Sequence, residues 1–83
     1  MTVNNLQLIK ACKLALAGEW DQSHRIVQDL TDPMSCWIHA VLHKIEGDVW
    51  NSRYWYARTT GKQYEDYSTP NFELEAIHQS LEQ

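Results

Sequence analysis

No run of apolar residues in this chain approaches the roughly 20 that a membrane-spanning helix needs, and no stretch alternates apolar and polar residues as a strand does. The two cysteines, Cys12 and Cys36, are too few for a disulfide framework. Both fall inside helical patterns, so they are expected to be free thiols that pack as small apolar residues in a reducing compartment. Basic residues are also scarce, seven Lys and Arg against eleven Asp and Glu, for a formal charge of −4 and a pI near 5.4. A phosphate-binding surface clusters its cations, and these are scattered, which argues against nucleic acid. The start of the chain lacks the basic region and apolar stretch of a signal peptide. The expectation is a cytoplasmic protein that meets neither membrane nor nucleic acid.

What is present is a single domain's worth of chain. With 83 residues, 43% hydrophobic, it lies near the lower limit for one adequate core. Four Trp and four Tyr against one Phe are many for this length. Such rings bury large areas at low entropic cost, in a core or at an interface.

Two stretches echo each other. Gly18-Glu19-Trp20-Asp21-Gln22-Ser23 aligns with Gly47-Asp48-Val49-Trp50-Asn51-Ser52 at an offset of 29 residues. Each lies between two apolar patterns of helical period. A first helix is predicted over 5–17, with Leu8, Ile9, Cys12, Ala15 and Leu16 on one stripe, Asn4 or Asn5 as cap, and Gly18 ending it. A second, over 19–30, turns Trp20, Ser23, Ile26, Val27 and Leu30 inward. Asp32-Pro33 is a strong start for the third helix, 33–46, because proline's missing N–H would be unpaired at that position anyway. Its stripe is Met34, Trp37, Ile38, Val41, Leu42 and Ile45. The fourth helix, 48–59, buries Val49, Ser52, Trp55, Tyr56 and Thr59. The period lapses over 60–68, and a last helix over 69–82 starts at Thr69-Pro70 and buries Phe72 or Leu74 with Ile77 and Leu81. The fold is therefore expected to be all-α: two antiparallel hairpins, 5–30 and 33–59, closed by a C-terminal helix, 69–82.

The unit of helix, Gly-acid turn and helix resembles the tetratricopeptide family, and its second occurrence resembles the shorter Sel-type relatives. The matching residues are Ala40, Gly47-Asp48, Ser52, Trp55-Tyr56 and Ala57, with Ala11, Gly18-Glu19, Ser23 and Ile26-Val27 at the same places in the first hairpin. The likeness covers 6–60. It implies a protein-binding scaffold without chemistry of its own.

Two features go beyond a scaffold. Ser35, Cys36, His39, His43 and Glu46 form a polar face on the third helix. His39 and His43 are four apart, which sets their imidazoles on one side about 6 Å from each other, a spacing that offers a metal two ligands. Cys36 lies roughly 10 Å along the axis from His43, too far for one ion to take all three. A third ligand would come from Glu46, Asp48 or His24, and zinc is the ion such a set suggests. Alternatively, these histidines bond Tyr or Trp side chains of the fourth helix or face water. A catalytic Cys36–His39 pair lacks an oxyanion hole, no glycine loop cradles phosphate, and no paired carboxylates appear, so neither enzymatic activity nor a required cofactor is expected.

The second feature is Trp50 and Tyr54, four apart and opposed to the inner stripe of the fourth helix. A helix apolar nearly all round must be covered nearly all round. Its cover is either the tail, through Tyr64, Tyr67, Phe72 and Ile77, or a partner, another protein or a second copy of the chain. Arg53 and Arg58 flank this patch; Arg53 could pair with an acidic group on either cover, or both could simply face solvent. The leading expectation is a protein–protein interaction module contacting its partner through Trp50, Tyr54, Arg53, His39 and His43. The alternative is a metal- or small-ligand-binding protein built on His39 and His43.

Overall fold

Gly18 and Gly47 end their helices at φ of 84° and 82°, the left-handed conformation that costs glycine nothing. The two turns match bond for bond. Glu19 N–H reaches back to the Leu14 carbonyl (2.8 Å) and Gly18 N–H to that of Ala15 (3.1 Å). Asp48 N–H reaches His43 (3.0 Å) and Gly47 N–H reaches Lys44 (3.2 Å). This pairing satisfies carbonyls that a helix end would otherwise leave open. A second device also occurs twice at the same offset. Ser23 Oγ donates to the Ala11 carbonyl (2.8 Å) and Ser52 Oγ to that of Ala40 (2.7 Å), all four residues being buried. A small side chain that bonds the facing backbone lets each helix pair approach closely.

The computed structural model describes residues 3–83. It is all-α, with no strand among the described residues: α1 (Val3–Leu16), α2 (Trp20–Val27), α3 (Pro33–Ile45), α4 (Val49–Tyr56), a short 3-10 turn (Tyr64–Asp66) and α5 (Pro70–Glu82). α1 with α2, and α3 with α4, form the two antiparallel hairpins, and α5 packs across α1 and α3. Among the described residues, no helix is long and apolar enough to cross a membrane.

Several boundaries differ from the sequence reading. α1 begins at Val3, so Asn4 and Asn5 lie inside it rather than capping it, and Asn5 Nδ2 donates to the Leu81 carbonyl of α5 (3.3 Å). α2 stops at Val27 because the chain needs residues 28–32 to turn and reach the extended conformation of Asp32 that Pro33 demands. Asp32 then caps α3 as expected, accepting from the Ser35 N–H (3.1 Å) and hydroxyl (2.6 Å). α4 ends at Tyr56. Thr59, expected on its inner stripe, lies past its end, with its hydroxyl donating to the Tyr56 carbonyl (2.6 Å) and accepting the Lys62 N–H (3.1 Å).

The larger correction concerns which helix is surrounded. α3 is buried without interruption from Ser35 to His43, because α1, α2, α4 and α5 all pack on it. Its expected polar face is thus interior at Ser35, Cys36, His39 and His43, with Glu46 alone exposed. α4 is only partly covered: Val49, expected on its inner stripe, is exposed, as is Ile45 at the end of α3. In α5, Leu74 rather than Phe72 joins Ile77 and Leu81 in the core.

One buried polar group holds α5 in place. Glu73 is fully buried, and its Oε2 accepts from Trp37 Nε1 (2.7 Å) and the Tyr56 hydroxyl (2.6 Å). Its Oε1 accepts from Lys44 Nζ (2.9 Å), which also donates to the Tyr67 carbonyl (3.0 Å) and lies over the Tyr56 and Tyr64 rings. Three helices, α3, α4 and α5, meet at this carboxylate. Burial, with Glu73 beside it, raises the Tyr56 pKa and keeps the phenol protonated as a donor.

Candidate metal centre

α2 and α3 run side by side across the hairpin boundary, and their histidines meet there. His24 is one turn past Trp20 on α2, while His39 and His43 are one turn apart on α3. One ring nitrogen from each of His24, His39 and His43 lies within 4.8 Å of the other two. His24 Nε2 and His39 Nε2 are 3.1 Å apart. The rings are walled by tryptophans. Trp20 stacks on His24 (centroids 4.8 Å) and Trp55 on His39 (4.0 Å), and Trp20 is anchored by its Nε1 donating to the Leu42 carbonyl (2.7 Å). His39 and His43 are 3% and 8% exposed, and His24 is half-buried.

The electrostatics disfavour the charged forms of His24 and His39. Burial, and then the neighbouring His24 and His43, push the His39 pKa down to about 3. Burial first, then His43, lowers that of His24 as well, against smaller opposing effects of Glu46 and Asp21. Neutral imidazole is the form that binds metal. His39 Nδ1 is buried with no hydrogen-bond partner.

Glu46 has a specific place. Its Oε1 is 2.6 Å from His43 Nδ1. A carboxylate can only accept, so Nδ1 carries a proton, and in the neutral form of the ring Nε2 then holds the lone pair. This is the arrangement by which a carboxylate orients a metal-binding histidine. Asp48 also lies near His43 and Glu46, but its side chain caps α4, accepting from Asn51 N–H (3.2 Å) and Nδ2 (2.8 Å). Those bonds, the side-chain one first, hold its carboxyl below the usual range.

Neither cysteine joins the cluster. Cys36 Sγ is 3.7 Å from the Thr31 carbonyl, and burial, then Asp32, raises its pKa. Burial pushes the Cys12 thiol up to about 12. Both are free. No hydrogen bond joins Cys36 to His39, whose Nε2 faces His24.

The residues expected to meet a partner therefore separate. His39 and His43 are interior. Trp50 (74% exposed) and Tyr54 (39%) lie outside, stacked on each other at 5.9 Å, with Arg58 over the Tyr54 ring at 3.7 Å. The tail covers only their flank: Glu65 pairs with Arg53, and Tyr64 packs edge-on against Tyr56 and beneath Arg53. The sequence named His24 only as one of three possible third ligands. It singled out neither the tryptophan walls nor Glu46 as an orienting group, since both depend on which helices become neighbours. No family model matches this chain, and no match was found among curated proteins or solved structures.

Proposed function

We propose that this chain is a transition-metal-binding protein whose ligands are the imidazoles of His24, His39 and His43. The observation that carries this reading is the convergence of three ring nitrogens, one from each histidine, within 4.8 Å. The spacing suits the chemistry. In a tetrahedral site with metal–nitrogen bonds of about 2.0–2.1 Å, neighbouring nitrogens are about 3.4 Å apart. The 3.1 Å between His24 Nε2 and His39 Nε2 is close to that value, and the third nitrogen has at most about 1.4 Å to close. An all-imidazole set favours Zn2+, Cu2+ or Ni2+ over Mg2+ or Ca2+, which prefer oxygen. The two buried, unpaired cysteines fit a reducing compartment such as the cytoplasm.

Elemental analysis of protein purified without a histidine tag and incubated with Zn2+ tests the reading. One zinc per chain is expected, falling well below one in His24→Ala. Retention of no zinc by the unmodified protein would refute it.

A second reading, a protein contact through the outer face of α4, is favoured by the placement of α5, which packs on α1 and α3 and leaves Trp50 and Tyr54 bare. Self-association measured by light scattering should then disappear in Trp50→Ser/Tyr54→Ser while the far-UV helix signal persists. A unimeric unmodified protein would count against self-association through this face.

A further inference from the structure

An ion at three imidazoles has three of four tetrahedral positions filled, so the source of the fourth donor decides what the centre can do. Sites closed by four protein ligands are structural, whereas sites with three keep a position for an exchangeable group. The nearby donors of this chain are committed elsewhere. Glu46 binds His43 Nδ1, on the far side of the ring from Nε2, so it cannot reach an ion held by that Nε2 without giving up the His43 bond. Asp48 is held by Asn51 at the start of α4, the Leu42 carbonyl accepts from Trp20 Nε1, and Cys36 bonds the Thr31 carbonyl. Among the described residues, no fourth His, Cys, Asp or Glu belongs with the group formed by His24, His39 and His43. Trp20 and Trp55 lie flat against two of the three rings, and half-buried His24 marks the side nearest solvent.

We infer that an ion bound by His24, His39 and His43 keeps one coordination position for an exogenous ligand, and that the ligand is a small anion. This rests on the metal-binding reading above. The preference for an anion follows from charge. Three neutral imidazoles bring none, so the +2 of the ion is uncompensated by its own ligands, and a buried charge favours an anionic partner.

The test uses the untagged full chain loaded with one equivalent of Co2+, whose visible absorption reports coordination number and ligand identity, and sodium azide as the anion. A strong visible band is expected, and azide should shift it with saturable one-to-one stoichiometry. The band should weaken greatly in His24→Gln. A band that ignores azide overturns the inference while leaving metal binding in place. An azide response that appears only in Glu46→Gln does the same and identifies Glu46 as the fourth ligand. A band of unchanged intensity in His24→Gln places the ion elsewhere and overturns the inference together with the ligand assignment. Absence of Co2+ binding removes the metal reading itself.

Discussion

His43 shows how one neighbour decides a side chain's chemistry. An imidazole can present either nitrogen, and the Glu46 carboxylate 2.6 Å from Nδ1 selects the tautomer whose Nε2 is free to bind. Orienting carboxylates of this kind typically account for about 10- to 100-fold in metal affinity. Glu46→Gln should therefore weaken zinc binding by about that factor in a chelator competition. Because Glu46 is exposed, helix content should not change. A variant that binds zinc as tightly as the unmodified chain would remove Glu46 from the orienting role. The i, i+3 spacing of His43 and Glu46 was visible in the sequence, but a ligand and a ligand's partner have the same spacing. Only the bond to Nδ1 separates them.

At the scale of elements, the position of α5 depends on a charge pair that pattern reading could not find. The fully buried Glu73 accepts from Lys44, Trp37 and Tyr56, joining α5 to α3 and α4. Removing one member of such a pair leaves the other buried and uncompensated, at a cost of about 3–5 kcal/mol. Lys44→Met should lower stability by that amount in urea unfolding followed by tryptophan fluorescence, and Lys44→Met/Glu73→Leu should recover much of the loss. A double variant as unstable as the single one would show that the Trp37 and Tyr56 hydrogen bonds, rather than the stranded charge, dominate. The helix starts and stops were mostly legible, since Asp32-Pro33, Gly18 and Gly47 act through local backbone chemistry. Lys44 and Glu73 were not. A charged residue one position off an apolar stripe is ordinarily solvated, and nothing local says that another helix will cover it.

For the whole molecule, the candidate centre joins the hairpins: one imidazole comes from α2 and two from α3, across the boundary between hairpins. An ion there binds only the assembled arrangement and stabilises it by mass action. At a free concentration 100 times its Kd, that is about 2.7 kcal/mol. For a domain this size, such a gain raises Tm by roughly 10–20 °C. Thermal unfolding with and without Zn2+ should show that rise in the unmodified chain and little of it in His24→Ala. Equal shifts in both would mean that the ion does not bridge the hairpins.

The sequence by itself determined the class of fold and the two hairpins, because caps, turns and apolar period are local properties of neighbouring residues. It also brought His39 and His43 together, four positions apart on one helix. Tertiary structure decided that α3 rather than α4 is enclosed on every side, since burial depends on how many elements surround a helix and periodicity describes one helix at a time. That enclosure makes His39 and His43 interior, sets His24 against them from another hairpin and lowers the pKa of His39 and His24. It likewise leaves Trp50 and Tyr54 outside, where composition alone could have placed them in a core.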